Sequence, residues 1–292
     1  MSLEKTLEDI TQRLKTENGR PNFENAVADA FRFLNFQVDP ILETDAESDL
    51  IVKASLPQKP YFVILECTAA QKKKYVSYKK LGQIRGNAPK YFFQYGRDFP
   101  TYYKVIVGRP AFSENMKKRA LEDVVLLTTN ILTRLLVLHS IYQFSQDELR
   151  SVFETKSEVK EEKINELVTP YLKNLKIHVL VFMALLDEPT SEPEKRKREG
   201  LPIPSLVGLV DNMSWFLGVK EVTPSDVTNA VTELSSSLER IVQLSHDERL
   251  TLTSIPFNVI LEKLGRQGVI FRNLLSDFQS KIRLMKATTD RS

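Results

Sequence analysis

The stretch Tyr61-Phe62-Val63-Ile64-Leu65-Glu66-Cys67-Thr68 decides the fold of the first half of this chain. It follows Pro60, is rich in aromatic and β-branched residues, and reads as a strand. Alternation along a strand places Phe62, Ile64, Glu66 and Thr68 on one face and Tyr61, Val63, Leu65 and Cys67 on the other. Glu66 is then an acid at the end of an otherwise apolar strand, where burying its charge is costly unless a cation or a hydrogen-bond donor compensates it. Asp49 opens the neighbouring apolar run Leu50-Ile51-Val52, so two carboxylates are expected at one edge of a sheet. Such a pair suits a hard divalent cation, which favours oxygen ligands and keeps several waters. Taken alone, the two acids are better explained as a solvated turn residue and a strand-end acid paired with a lysine.

Outward from this strand, Leu3, Leu7, Ile10 and Leu14 recur at helical spacing until Asn18-Gly19 and Pro21 stop the helix. A second helix carries Phe23, Val27, Phe31 and Leu34 on one face. Phe36–Val38, Asp49–Val52, Lys104–Val107 and Val124–Leu127 read as further strands. A basic helix is expected from Lys72 to about Arg85. Ser113 caps another helix, Ile131–Tyr142 forms one more, and Ser145 with Glu148 makes a capping box. Helices and strands mixed in this order predict an α/β domain over residues 1–155, a small mixed sheet flanked by helices.

From 156 to 292 the pattern changes to an all-α region. Thr169-Pro170 is read as a helix start leading to Leu186, followed by a polar linker from Asp187 to Gly200 with the run Lys195-Arg196-Lys197-Arg198. Ser205–Leu217, a long helix from Thr223-Pro224 toward Leu244, Pro256–Leu264 and Val269–Met285 complete it, with Trp215 expected in the core. This half is read as a DNA-recognition, oligomerisation or stabilising module.

Charge distribution adds more than net charge, which is only 41 − 38 = +3. Between Cys67 and Arg97 there is no Asp or Glu, but there are eight basic residues: Lys72, Lys73, Lys74, Lys79, Lys80, Arg85, Lys90 and Arg97. Tyr75, Tyr78, Tyr91, Phe92, Phe93 and Tyr95 are interleaved with them. Positive charge attracts a phosphate backbone, and aromatic rings hydrogen-bond it or stack on splayed bases. A solvated lysine-rich helix with core phenylalanines is the plainer account of the same segment.

The order Phe23-Glu24 on a helix, Asp49 on one strand, Ile64-Leu65-Glu66-Cys67-Thr68 on the next and then a basic helix with Gln83 resembles the PD-(D/E)xK nuclease superfamily, closest in layout to Mrr-like and type IIS restriction cleavage domains. The resemblance covers roughly the first 150 residues by pattern. It implies a restriction- or defence-type DNA endonuclease in which Asp49 and Glu66 hold Mg²⁺, with Mn²⁺ as a substitute, and Glu24 assists. Lys72, Lys73, Lys74, Lys79, Gln83 and Arg85 would then contact nucleic acid. The chain departs from the pattern at Thr68, where the superfamily usually has a lysine. A hydroxyl orients water but carries no charge, so the cation must come from elsewhere or be missing. Lysines on the following helix take over this role in some members; Lys80 is the preferred candidate here, with Lys79 and Lys72 to Lys74 as alternatives. Thr68 equally fits a catalytically inactive relative that binds nucleic acid or a partner protein, and RNA is a weaker choice of substrate. Cutting both strands of a duplex suggests a homodimer.

Other chemistries find little support. The single Cys67 excludes an intrachain disulfide and a cysteine zinc site and fits a reducing cytosol. No phosphate-binding glycine loop and no HExxH spacing occur. The first residues, MSLEKTLEDI, carry acids and no apolar run, so no signal peptide is expected. The apolar stretch Ile177–Leu186 is too short to span a membrane, and a cytoplasmic protein is expected. His139 and His178 lie in apolar helical runs and His246 follows a cap, places where histidines are usually structural.

Overall fold

The computed structural model describes residues 3–17, 20–40, 49–69, 75–76, 78–109, 111–186, 201–236, 242–244, 249–252 and 266–289. Lys72 to Lys74, Lys195 to Arg198, His246 and the helix expected over Pro256–Leu264 lie outside the described residues. The chain divides into two compact units, residues 1–168 and 169–292. The division falls thirteen residues past the expected boundary, 168 − 155, within a helix that spans it.

Unit 1 is built on a six-stranded mixed sheet in sequence order, β1 (Gln37–Pro40), β2 (Leu50–Ala54), β3 (Tyr61–Ala69), β4 (Thr101–Arg109), β5 (Val124–Thr128) and β6 (Ser157–Glu158). The pairs β1–β2 and β2–β3 are antiparallel, and β3 to β6 run parallel. Parallel strands need crossover helices, which bury both faces of the sheet. One face is covered by α3 (Lys79–Tyr95) and α4 (Glu114–Ala120). Ile51, Phe62, Ile64, Ile106 and Leu126 pack there against Leu81, Ile84, Ala88 and Met116. On the other face lie α1 (Leu3–Thr16), α2 (Arg20–Phe33), α5 (Thr129–Tyr142) and α6 (Gln146–Phe153), with Phe31, Phe36, Tyr61 and Phe153 forming an aromatic cluster.

Local chemistry sets several ends. Ser113 accepts from the Met116 N–H at 3.3 Å, Thr128 accepts from Ile131 at 3.3 Å, and Ser145 and Glu148 form the expected capping box. The basic helix begins later than its composition suggests. Val76 forms an isolated parallel bridge with Phe112, its N–H donating to the Ala111 carbonyl at 3.0 Å. Extended pairing there delays the helix to Lys79, and it then runs through Pro89 to Tyr95.

That bridge depends on Gly108 of β4. A Cβ at this position would meet the Phe112 ring at 2.6 Å and Val76 at 3.1 Å, so only glycine lets the two side chains close over the strand. Gly108→Ala is expected to destabilise the fold by about 1–3 kcal/mol through overpacking. A denaturant midpoint unchanged from wild type would contradict this contact.

Unit 2 is mainly helical. The helix α7 (Glu161–Leu186) includes Pro170, which was expected to start it. Ile164 and Leu167 before the proline and Leu175, Val179 and Leu180 after it are buried, and this packing offsets the lost backbone hydrogen bond. Leu175, Leu180 and Phe182 share a core with α8 (Ile203–Met213), a 3-10 turn (Ser214–Leu217), α9 (Pro224–Ser236) and α10 (Arg266–Thr289). Gly218 closes the turn at φ 64°, where glycine carries no Cβ penalty. Two details differ from expectation. The long helix expected to run toward Leu244 is described as far as Ser236, whereas Val242–Leu244 is a strand: β7 (Leu201–Pro202), β9 (Arg249–Leu252) and β8 (Val242–Leu244) form a small antiparallel sheet in that order. Trp215, expected in the core, is 58% exposed and stacks on Phe216. Among the described residues no helix is long and apolar enough to cross a membrane.

Candidate active site

Glu66 is wholly buried near the end of β3, on the face that α3 covers. Its charge is answered by Lys80 in the first turn of α3, whose Nζ donates to Glu66 Oε1 and, at 3.2 Å, to Gln83 Oε1. Of the candidate lysines among the described residues, Lys80 is therefore the one at the acid; Lys79 sits on the exposed side of the helix. Gln83, expected at nucleic acid, instead contacts Lys80 one turn along. The Val76–Phe112 bridge just before α3 fixes where this helix starts, and so where Lys80 reaches the sheet. No local motif advertises that bridge, because its two partners lie 36 positions apart, 112 − 76.

Asp49, only 3% exposed, clasps Glu66 through the backbone. Its N–H donates to the Leu65 carbonyl at 3.0 Å, and its Oδ2 accepts from the Cys67 N–H at 2.6 Å. The residues on both sides of Glu66 are thus tied to one aspartate, which holds the two acids at the same end of β3.

Glu24 lies half-buried on α2. Burial pushes the Cys67 thiol well above its ordinary value, Asp49, Glu24 and Glu66 push it further, and Lys80 opposes them. Elements from both faces of the sheet thus bring charge to bear on one point of β3. The thiol is held in its neutral form, which makes it a core residue and a poor nucleophile. Among the described residues, no three His, Cys, Asp or Glu side chains are grouped to hold a metal ion. Glu24 is therefore not brought into a ligand group with Asp49 and Glu66.

Thr68 is half-buried and stands opposite Gly108 in β4. Arg85, expected to meet phosphates, is committed to protein. Its Nε and Nη2 donate to Asp123 Oδ1 at 2.9 and 2.6 Å, and Nη2 also donates to the Arg119 carbonyl at 2.8 Å. His139 is structural: it is buried beside Phe33 and Phe144, with Nε2 3.3 Å from Asn35 Nδ2, and burial lowers its pKa.

No protein-family model matches the chain, and no curated protein matches it in sequence. Among solved structures it is similar to the restriction endonuclease FokI, at 13% identity over 53% of this chain and 30% of that one, with a TM-score of 0.42. It is also similar to the MspJI restriction endonuclease, solved in complex with a 27-mer oligonucleotide, at 16% identity over 55% of this chain and 38% of that one, with a TM-score of 0.32. The chain spans only 30% and 38% of the lengths of these structures, and both likenesses are loose and concern the fold alone.

Proposed function

We propose that unit 1 is a metal-dependent endonuclease that hydrolyses phosphodiester bonds of DNA. The observation that carries this reading is the buried Glu66 with Asp49 clasped around its backbone and the ammonium of Lys80 drawn to it. Two carboxylates supply a hard, all-oxygen donor set, which suits Mg²⁺ or Mn²⁺ held by one or two acids with the remaining positions left to water and phosphate oxygens. Asp49 and Glu66 would hold the ion. When bound, it supplies Lewis-acid chemistry: it activates water and offsets charge on the phosphoryl oxygens.

The chain's own groups do the rest. Lys80 would take over the part of a lysine two residues after Glu66: its ammonium, drawn to Glu66 Oε1, offsets developing negative charge, with Gln83 orienting it through the 3.2 Å bond. The Thr68 hydroxyl orients the attacking water but gives it no charge. Both strands of a duplex require two such sites, so two copies act together or in turn.

A non-catalytic reading, in which the fold only binds nucleic acid, draws support from Thr68 itself. Plasmid incubated with Mg²⁺ separates the two. Nicking or linearisation by the wild type that Asp49→Asn or Glu66→Gln abolishes supports the nuclease. Absence of cleavage by the wild type under Mg²⁺ and Mn²⁺, or cleavage indifferent to both substitutions, would leave the binding role.

A further inference from the structure

Among the described residues the outward side of α3 is exposed, and the helix itself carries no acid. Lys79, Gly82, Gly86, Lys90 and Phe93 follow one another along it at spacings of three and four, which places them in a single stripe. Phe93 is 94% exposed, the most exposed large hydrophobic side chain among the described residues, and Phe92 beside it is 42% exposed. Arg85 sits on the flank and engages the neighbouring acids, Asp123 at 2.6 Å and Glu122 at 3.5 Å, so their charge is countered there. A Cβ at Gly82 or Gly86 would meet nothing within 4 Å. The fold itself therefore makes no demand for glycine at either place.

We propose that this face of α3 is a docking surface for single-stranded DNA. The choice of DNA rests on the nuclease reading above; the choice of an unpaired strand rests on the face itself. Charge decides against a second copy of the same face, since pairing it with itself would set lysine against lysine. An anionic backbone is its complement, and Lys79 and Lys90 lie about 16 Å apart along the helix, enough to follow several phosphates. Phenylalanine has no hydrogen-bonding group, so its useful contact with nucleic acid is stacking. A closed duplex hides the base faces that an unpaired strand offers. The bare helix at Gly82 and Gly86 leaves room for that strand to lie close.

The test is fluorescence anisotropy of a short labelled oligothymidylate in EDTA, where metal binding and cleavage play no part. Phe93→Ala should weaken binding roughly 5- to 150-fold, the value of one base–aromatic stack. Lys90→Gln should weaken it modestly and reduce the salt slope by about 1. A duplex of equal length should be insensitive to Phe93→Ala. Both side chains are exposed, and unchanged thermal melting shows that the variants remain folded. No binding by the wild type, equal binding by Phe93→Ala, or an equal loss for duplex would overturn the proposal. Tighter, Phe93-dependent binding of the matching RNA would overturn the assignment to DNA, and self-association abolished by Phe93→Ala would assign the face to protein. Binding is read in EDTA and cleavage in Mg²⁺, so the two assays are independent. Failure of the nuclease reading therefore shows in the plasmid assay alone, and failure of this one in the anisotropy alone.

Discussion

Glu66→Gln and Asp49→Asn each reduce plasmid cleavage in Mg²⁺ by at least about 10³-fold, the scale expected when a preorganised charge at the reacting phosphate is lost. Both substitutions preserve shape and remove a negative charge. The effect should be non-additive, since either one dismantles the same cation site, and the double variant should be about as slow as each single one. Retention of more than a tenth of wild-type activity by either variant would contradict the assignment. Glu24→Gln should have a much smaller effect, because Glu24 does not join the other two acids in a ligand group.

Lys80→Met lowers stability by about 2–3 kcal/mol, because it leaves the carboxylate of Glu66, wholly buried, without its cation. The value is taken at the low end for breaking a buried pair, since the Lys80 side chain is itself 26% exposed. Lys79→Met, on the exposed side of the same helix, should change stability by less than about 0.5 kcal/mol. Removing both charges in Lys80→Met with Glu66→Leu should recover most of the loss, since an apolar pair of similar volume is often as stable as the ion pair. Urea titrations of the four proteins in a double-mutant cycle measure the coupling. Additive losses would show that the contact between Nζ and Oε1 contributes nothing. Lys80→Met should also cut cleavage far more than Lys79→Met does, since only Lys80 reaches Glu66.

The parts of this architecture that were legible in the sequence are those governed by short-range rules. Alternation in Tyr61–Thr68 places Glu66 on the face with Phe62 and Ile64, and that face carries the α3 packing. Ser113 and the Ser145–Glu148 box mark helix starts where the structure has them. The illegible parts depend on contacts between distant residues. Composition extends the basic helix back to Lys72, whereas Val76 pairs with Phe112 through a space that only Gly108 leaves open. Pro170 reads as a helix start locally but is carried through α7 by buried residues on both sides. Arg85 looks like one more basic residue on a nucleic-acid face until Asp123, 38 positions away, takes its guanidinium. Spacing alone could not separate Lys79 from Lys80, because a difference of one residue is a rotation of about 100° on a helix that had still to be docked on the sheet.

Calorimetric titration of Ca²⁺, which occupies oxygen sites with little turnover, asks whether Asp49 and Glu66 together form a divalent cation site. The wild type should bind Ca²⁺ with a resolved heat, and Asp49→Asn combined with Glu66→Gln should give none while melting as a folded protein. A wild type that takes up no Ca²⁺, Mg²⁺ or Mn²⁺ at millimolar concentration, or a double variant that binds as the wild type does, would contradict the account.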